Sequence, residues 1–324
     1  MPAPHPAVVQ AAPAAPTPAT PSSALTGTET SRRLLGAEPE ARAMTLWGSS
    51  SMSSEGGGEA TPLPIRIHEH LALSAAPAPV HSFGVGATRS AHTLLMRGLE
   101  TPRLFPRVGR PESSDGTASV PVALETGLAP AGPLRIPGSV DGTSGMLDGS
   151  SGTWYFTADD TSRGPVEGVF TSALAEVAAH SRQVLWMGKN NILDVTEVLD
   201  DTQRMWDAAE TPEQDTLVLG QWCTEADARG AATGDAVAAV TAEQARRYGD
   251  HFLDLQALLT GEEGLRCAPL APLALLEQGS TQEALERAVV PPSLVAADGI
   301  HLNGWGNLAV CWAIVRRLRE LRWL

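Results

Sequence analysis

The sequence predicts an α/β fold, a three-layer α/β/α domain around a parallel sheet, interrupted by a small β-rich insertion. Three observations predict it. Short apolar runs with the length of buried strands alternate with longer segments of helical character, the pattern of a covered parallel sheet. Between about Pro102 and Pro165 the texture changes, and Gly, Pro, Ser and Asp recur between short β-favouring pieces. The chain has 324 residues, enough for one large α/β domain plus an insertion. The expected boundaries are 39–101 and 170–324 for the α/β domain and 102–169 for the insertion.

Taken in order, residues 1–38 are rich in Ala, Pro, Thr and Ser and carry almost no charge before Glu29. Such a segment buries too little apolar surface to offset the entropy of ordering it, so a disordered tail is expected. Ala43 to Trp47 is a short apolar run ending in Gly48 and reads as a buried strand; Ser49-Ser50-Ser51 and the loop Gly56-Gly57-Gly58 follow. Pro62 to Leu73 suits a helix, Pro79 to Phe83 a second strand, and Thr88 to Met96 a second helix with Thr88 as its N-cap. Inside the insertion, Val120 to Leu124 and Trp154 to Phe156 are the clearest strands. The α/β pattern then resumes with a helix over Phe170 to His180 and a strand over Gln183 to Met187. A helix over Thr196 to Ala209, a strand over Thr216 to Leu219 and a helix over Thr241 to Leu259 follow. The last helix runs from Gly304 to Leu324, with Leu308, Cys311, Val315 and Leu318 on one face.

Composition excludes several functions. Net charge is −14, which argues against nucleic acid and against an anionic membrane surface as partners, because both rest on clustered Lys and Arg. Lys189 is the only lysine, read as a mark of composition and not of a site. The cysteines, Cys223, Cys267 and Cys311, are odd in number and lack C-x-x-C spacing, so neither a disulfide framework nor a zinc knuckle is expected. No stretch reaches the roughly 20 apolar residues of a membrane span. The N-terminus has no basic segment followed by an apolar core, so no secretory signal is expected; the compartment stays open between cytoplasmic and secreted.

In a parallel α/β sheet, chemistry gathers in the loops at the carboxyl ends of the strands. Three expected strands end in Gly48-Ser49-Ser50-Ser51, Gly84-Val85-Gly86-Ala87-Thr88 and Gly188-Lys189-Asn190-Asn191, and a fourth loop, Asp298-Gly299-Ile300-His301, precedes the last helix. These residue types suit acyl transfer. A serine hydroxyl needs a neighbouring base, histidine titrates near neutrality, and a carboxylate orients the imidazole and stabilises its charged form. Asp298 and His301 are three residues apart, so one turn can present both. A glycine amide such as that of Gly86 and an asparagine amide such as that of Asn190 can supply donors for an oxyanion.

The four loops, in this order, resemble the blocks of the SGNH (GDSL-like) hydrolase family. Its Gly-Asp-Ser block matches Gly48-Ser49-Ser50, its oxyanion glycine matches Gly86, its Gly-x-Asn-Asp block matches Gly188 to Asn191, and its Asp-x-x-His block matches Asp298 to His301. Ser49 and Asn191 stand where the family has Asp. The resemblance implies a serine esterase with Ser50 as nucleophile (Ser51 the neighbouring option), His301 as base and Asp298 orienting it. Ser50, Gly86 and Asn190 would form the oxyanion hole, and neither metal nor organic cofactor would be needed. The family's range implies small-molecule or glycan esters as substrates, acetylated carbohydrates among them. A competing reading is a catalytically inert glycan-binding module on the same fold.

Other features are read as structural. His68-Glu69-His70 lacks the H-E-x-x-H spacing of a metal site and suits an exposed helix face. Gly84-Val85-Gly86 lacks the third glycine of a dinucleotide fingerprint. No G-x-S-x-G elbow occurs. Trp186 and Trp305 read as core or pocket-rim residues, Cys311 as a core thiol, and Arg316, Arg317, Arg319 and Arg322 as a solvated helix face.

Overall fold

The computed structural model describes residues 42–74, 77–107, 112–114, 117–160 and 167–324. The tail expected over 1–38 lies outside the described residues.

Five strands form a wholly parallel sheet: β1 (Met44–Gly48), β2 (Val80–Gly84), β10 (Arg182–Trp186), β11 (Thr216–Leu219) and β12 (Phe252–Leu253), in the order β12-β11-β10-β1-β2. Read from the β2 edge and counting only these strands, the order is 2-1-3-4-5, so the chain reverses direction across the sheet between β1 and β10. In open α/β sheets that reversal opens a crevice beyond the carboxyl ends of the strands.

The apolar runs of β1, β10 and β11 are continuous because both faces of the sheet are covered. Side chains alternate along a strand. Leu46, Val184 and Leu217 therefore face one way, against Leu63, Ile67 and Leu71 of α1 (Leu63–Ala72) and Ala309, Val310, Ile314 and Leu318 of α6 (Gly304–Glu320). Trp47, Leu185 and Val218 face the other way. They meet Leu94 to Met96 of α2 (Ser90–Arg97), Met205 and Trp206 of α3 (Val195–Asp207), and Tyr248 of α4 (Ala232–Tyr248). The remaining longer helix is α5 (Gly279–Glu286).

Between α2 and β10 the chain forms an antiparallel sheet of seven strands. These are β3 (Arg103–Pro106), β4 (Glu112–Ser114), β5 (Thr117–Leu124), β6 (Arg135–Val140), β7 (Thr143–Asp148), β8 (Trp154–Ala158) and β9 (Gly168–Ser172). β3 pairs with β9 on one side and β5 on the other, so six of the strands close on themselves and β4 hangs from β5. Closure removes sheet edges. The buried residues of this sheet, Leu104, Val122, Ile136, Leu147, Trp154, Phe156 and Phe170, belong to the same cluster as Trp47, Leu94 and Leu185, so the two sheets share a core.

Several elements differ from the sequence reading. The helix expected over Phe170 to His180 begins as β9, whose residues alternate buried and exposed, and only Leu174–Ala178 is helical. The helix expected over Thr241 to Leu259 is α4 followed by a break at Gly249 (φ 51°), the two-residue strand β12 and a short helix over Leu255–Thr260. Thr88 does not cap α2. Arg89 holds the cap position, and the Thr88 hydroxyl donates to the Val85 carbonyl at 2.7 Å. Trp186 is in the core, and Trp305 is exposed. Cys311 is buried, which pushes its thiol up to about 12. His68, Glu69 and His70 lie on the exposed side of α1. Among the described residues no helix is long and apolar enough to cross a membrane.

Leu46 is fully buried in the central strand β1. Leu46→Ala is expected to cost about 2–5 kcal/mol of stability, from lost transfer energy plus the cavity left behind. Urea denaturation should show a lower midpoint at an unchanged slope.

Candidate active site

The site is assembled by register. Gly48 pairs with Gly84 on one side and with Trp186 on the other, so β1, β2 and β10 end level with one another. The three loops that follow them emerge side by side.

After Gly48 the chain turns straight into a one-turn helix, Ser50–Ser53, with Ser49 before it and Ser54 in the left-handed region after it (φ 61°). The turn requires glycine at both strand ends. A Cβ on Gly48 would lie 2.5 Å from the Trp186 carbonyl oxygen and 2.9 Å from the Met52 Cβ. A Cβ on Gly84 would lie 2.7 Å from the Ser53 nitrogen. The turn is then tied down: the Ser53 hydroxyl (2.9 Å) and the Glu55 amide (3.0 Å) donate to the Ser50 carbonyl, and the Ser54 hydroxyl oxygen accepts from the Leu63 amide at the start of α1 (2.7 Å).

The second loop carries Gly86, which is buried, and Ala87, a non-glycine residue at φ 61°. Among the described residues, neither the Ser50 amide nor the Gly86 amide donates to a protein acceptor. Unpaired N–H groups at the end of a parallel sheet are the kind of donor an oxyanion needs.

The third loop is a 3₁₀ turn, Lys189–Asn191. Asn190 Nδ2 donates to the Thr88 carbonyl at 2.9 Å, which uses one of its two N–H groups and binds the third loop to the second. Asn191 is the stronger tie. It is buried, its Oδ1 accepts from the Ser90 amide (3.2 Å), and its Nδ2 donates to Ser90 Oγ (3.0 Å) and Glu197 (3.1 Å). Lys189 Nζ donates to Asp227 (2.6 Å) and to the Trp222 carbonyl (2.9 Å), which anchors the same turn from behind. Sequence reasoning gave Asn191 and Lys189 no task. The signal for Lys189 was present, since a chain with one lysine had placed it next to the third-loop glycine.

The fourth loop is a narrow return. Val295 and Leu302 form an antiparallel bridge, and the Ala296 amide donates to the His301 carbonyl at 2.8 Å. Its end is fixed by Asn303, the N-cap of α6, whose Oδ1 accepts from the Trp305 (3.0 Å) and Gly306 (3.1 Å) amides. Within the loop, Asp298 Oδ1 accepts from the Ile300 (2.8 Å) and His301 (3.0 Å) amides, and Asp298 Oδ2 lies 2.7 Å from His301 Nδ1. The His301 hydrogen bond, reinforced by the two amides, holds the Asp298 carboxyl at about 2. Asp298 is therefore an ionised acceptor across the neutral range. A proton on Nδ1 completes that bond and leaves Nε2 as the basic nitrogen.

The first and fourth loops are packed together. A Cβ on Gly56, at φ 86°, would lie 2.5 Å from the His301 Cβ, and a Cβ on Gly57 would lie 2.8 Å from Asn307 Nδ2. Glu59 Oε1 accepts from the Gly304 amide at 2.5 Å, a bond that lowers the Glu59 pKa. The loop that begins six residues after Ser50 thus seats His301.

Of the residues singled out in the sequence, Asp298 and His301 are in direct contact, Ser50 and Gly86 lie on neighbouring strand ends, and Asn190 is bonded to the Gly86 loop. Glu55 was missed. Its carboxylate lies over the Cα of Gly86, where Oε2 would be 2.9 Å from an added Cβ. Among the described residues no group of three or more His, Cys, Asp or Glu could hold a metal ion.

The fold is a doubly wound α/β arrangement in which the Ser50 turn, the Gly86 loop and the Asn190 turn follow the ends of β1, β2 and β10 around the reversal in strand order, and the Asp298–His301 loop packs on the segment after Ser50 at Gly56. No protein-family model matches the chain, and no curated protein matches it. Among solved structures, the chain is similar to one described as the crystal structure of TesA (12% identity, TM-score 0.45, covering 86% of this chain and 99% of that one). It is also similar to the lipase/acylhydrolase from Enterococcus faecalis (11% identity, TM-score 0.43, covering 86% and 96%).

Gly56→Ala should displace His301, because the new methyl group meets its Cβ at a backbone angle that disfavours alanine. If His301 activates a serine, a shift of about 1 Å is enough to lower that serine's reactivity about a hundred-fold. The expected result is a folded protein, by circular dichroism, whose serine reactivity toward a fluorophosphonate falls steeply. Unchanged reactivity would show that the Gly56 contact does not seat His301.

Proposed function

We propose that the chain is a serine hydrolase that cleaves carboxylic esters. The observation that carries this reading is the Asp298–His301 pair, 2.7 Å apart and seated on the loop that follows Ser50. In this mechanism His301 Nε2 takes the proton of the Ser50 hydroxyl as Ser50 attacks the acyl carbon. Asp298 stabilises the imidazolium that forms. The oxyanion is met by the amides of Ser50 and Gly86 and by the second N–H of Asn190. His301 then protonates the departing alcohol, and water, activated by the same base, releases the acid and restores Ser50. Substrates are small-molecule or glycan esters, acetylated carbohydrates among them.

The antiparallel sheet has a role in substrate choice under this reading. A cleft of about 550 Å³ runs between α2 and the loop that joins β5 to β6, lined by Ala87, Leu94, Leu95, Leu128 and Pro130 together with Arg89, Glu100, Glu197 and Asp201. Its wall is latched by His92, whose Nε2 lies 2.8 Å from the Ala129 carbonyl while Nδ1 accepts from the Arg89 amide at 3.1 Å. Burial pushes the His92 pKa down, which keeps this doubly used ring neutral.

The first test is covalent. A fluorophosphonate should form one adduct, on Ser50, mapped by peptide mass spectrometry, lost in His301→Ala and reduced in Asp298→Asn. An adduct on Ser51 moves the nucleophile by one residue. No adduct on folded protein would favour the inert glycan-binding module. The second test is kinetic. Asn190→Ala should lower kcat by about 10²–10³ with little change in KM, the loss typical of one oxyanion donor. A change in KM alone would make Asn190 a substrate-binding residue.

A further inference from the structure

Glu55 occupies a position that a neutral ester alone does not explain. Its amide is bonded to the Ser50 carbonyl, so its backbone is fixed relative to the proposed nucleophile. Its carboxylate reaches across to lie over Gly86, beside the proposed oxyanion donors, and its one side-chain hydrogen bond among the described residues is a long one, 3.4 Å, from the Ser53 hydroxyl. Other carboxylates around the loops have closer donors. Asp298 has His301 and two amides, and Glu59 has the Gly304 amide. Asp194 and Glu197 share the Arg89 guanidinium at 2.7 Å each, and Asp227 has Lys189 at 2.6 Å. The cations of the second and third loops, Arg89 and Lys189, are thereby taken.

An unneutralised carboxylate beside an oxyanion hole opposes the negative charge that forms there. A substrate can relieve the conflict by bringing its own positive charge. We propose that Glu55 is the specificity-determining residue of this site and selects esters that carry an ammonium group close to the scissile carbonyl, while excluding esters with a carboxylate in that place. The inference rests on the hydrolase reading and adds a substrate class to it. It also makes Glu55 a brake on neutral esters, an effect that no purely structural role would produce.

The test uses the full chain and three organophosphonates of matched shape, whose leaving groups end in trimethylammonium, tert-butyl or carboxylate. The readout is the second-order rate of covalent inactivation at Ser50, which does not depend on the acyl group preferred in turnover. The Glu55 side chain is exposed, so wild-type protein should react with the cationic reagent about three-fold faster than with the neutral one, the scale of an exposed ion pair, and slowest with the anionic one. In Glu55→Gln the neutral and anionic reagents should react faster than in wild type, and the cationic-to-neutral ratio should fall to about one. High salt should shrink the wild-type ratio and leave the variant's unchanged. A wild-type ratio near one, or a ratio that survives in Glu55→Gln, overturns the inference and leaves the hydrolase reading standing. No inactivation by any of the three, with no fluorophosphonate adduct on folded protein, overturns both.

Discussion

The site depends on the absence of side chains at two strand ends. Gly48 and Gly84 face each other in the register of β1 and β2, and the turn that carries Ser50 folds back over both. A methyl group on either would meet backbone: the Trp186 carbonyl beyond Gly48 and the Ser53 amide beyond Gly84. Backbone cannot swing aside as a flexible side chain can, so the tightness of this turn is a demand on sequence. It brings Ser50 within two residues of a strand end, at the point where the order of the sheet reverses.

Polar ties do the remaining positioning, and most of them run between loops. Asn191 joins the third loop to Ser90 at the start of α2, Asn190 joins it to Thr88, and Lys189 joins it to Asp227. Asn303 closes the fourth loop, and Glu59 binds the first loop to the start of α6. Asn191 satisfies buried donors and acceptors, Asn190 and Glu59 act from exposed positions, and all of them order a loop without using Asp298, His301 or the Ser50 and Gly86 amides. This explains how loops, the most variable parts of a fold, can hold a fixed constellation on a rigid sheet.

How much of this was legible in the sequence follows from the range of the forces involved. The strands β1, β10 and β11 were legible because burial on both faces writes a continuous apolar run. Asp298 and His301 were legible because their contact is local, three residues along one loop. β12 was not, since two residues carry no period, and β9 was misread because Phe170 and Leu174 happen to fall at helical spacing while the real alternation is that of a strand. α4 begins at Ala232, nine residues before the helix expected from Thr241, and Gly234 in its first turn is required where the helix passes the Asp227 carbonyl. Glu55 over Gly86 and Asn191 on Ser90 were illegible because those contacts join different loops and only the fold makes them, while Lys189, marked out as the one lysine, finds Trp222 and Asp227 more than thirty residues away.

With a net charge of −14 the chain as a whole repels anions, but a global field is screened within about 10 Å at ordinary salt, so it cannot decide chemistry at one carbonyl. What decides it is which local charges are already spent. Asp298 is spent on the His301 ring and on two backbone amides, 2.7–3.0 Å away. Arg89 and Lys189 are spent on structural carboxylates, so neither is available to stabilise negative charge at Gly86. Under the proposed hydrolase reading, oxyanion stabilisation falls to neutral donors, the Ser50 and Gly86 amides and Asn190. Fixed dipoles of that kind favour charge that develops during reaction over charge already present in a bound anion, which is the difference between catalysing acyl transfer and merely binding a carboxylate.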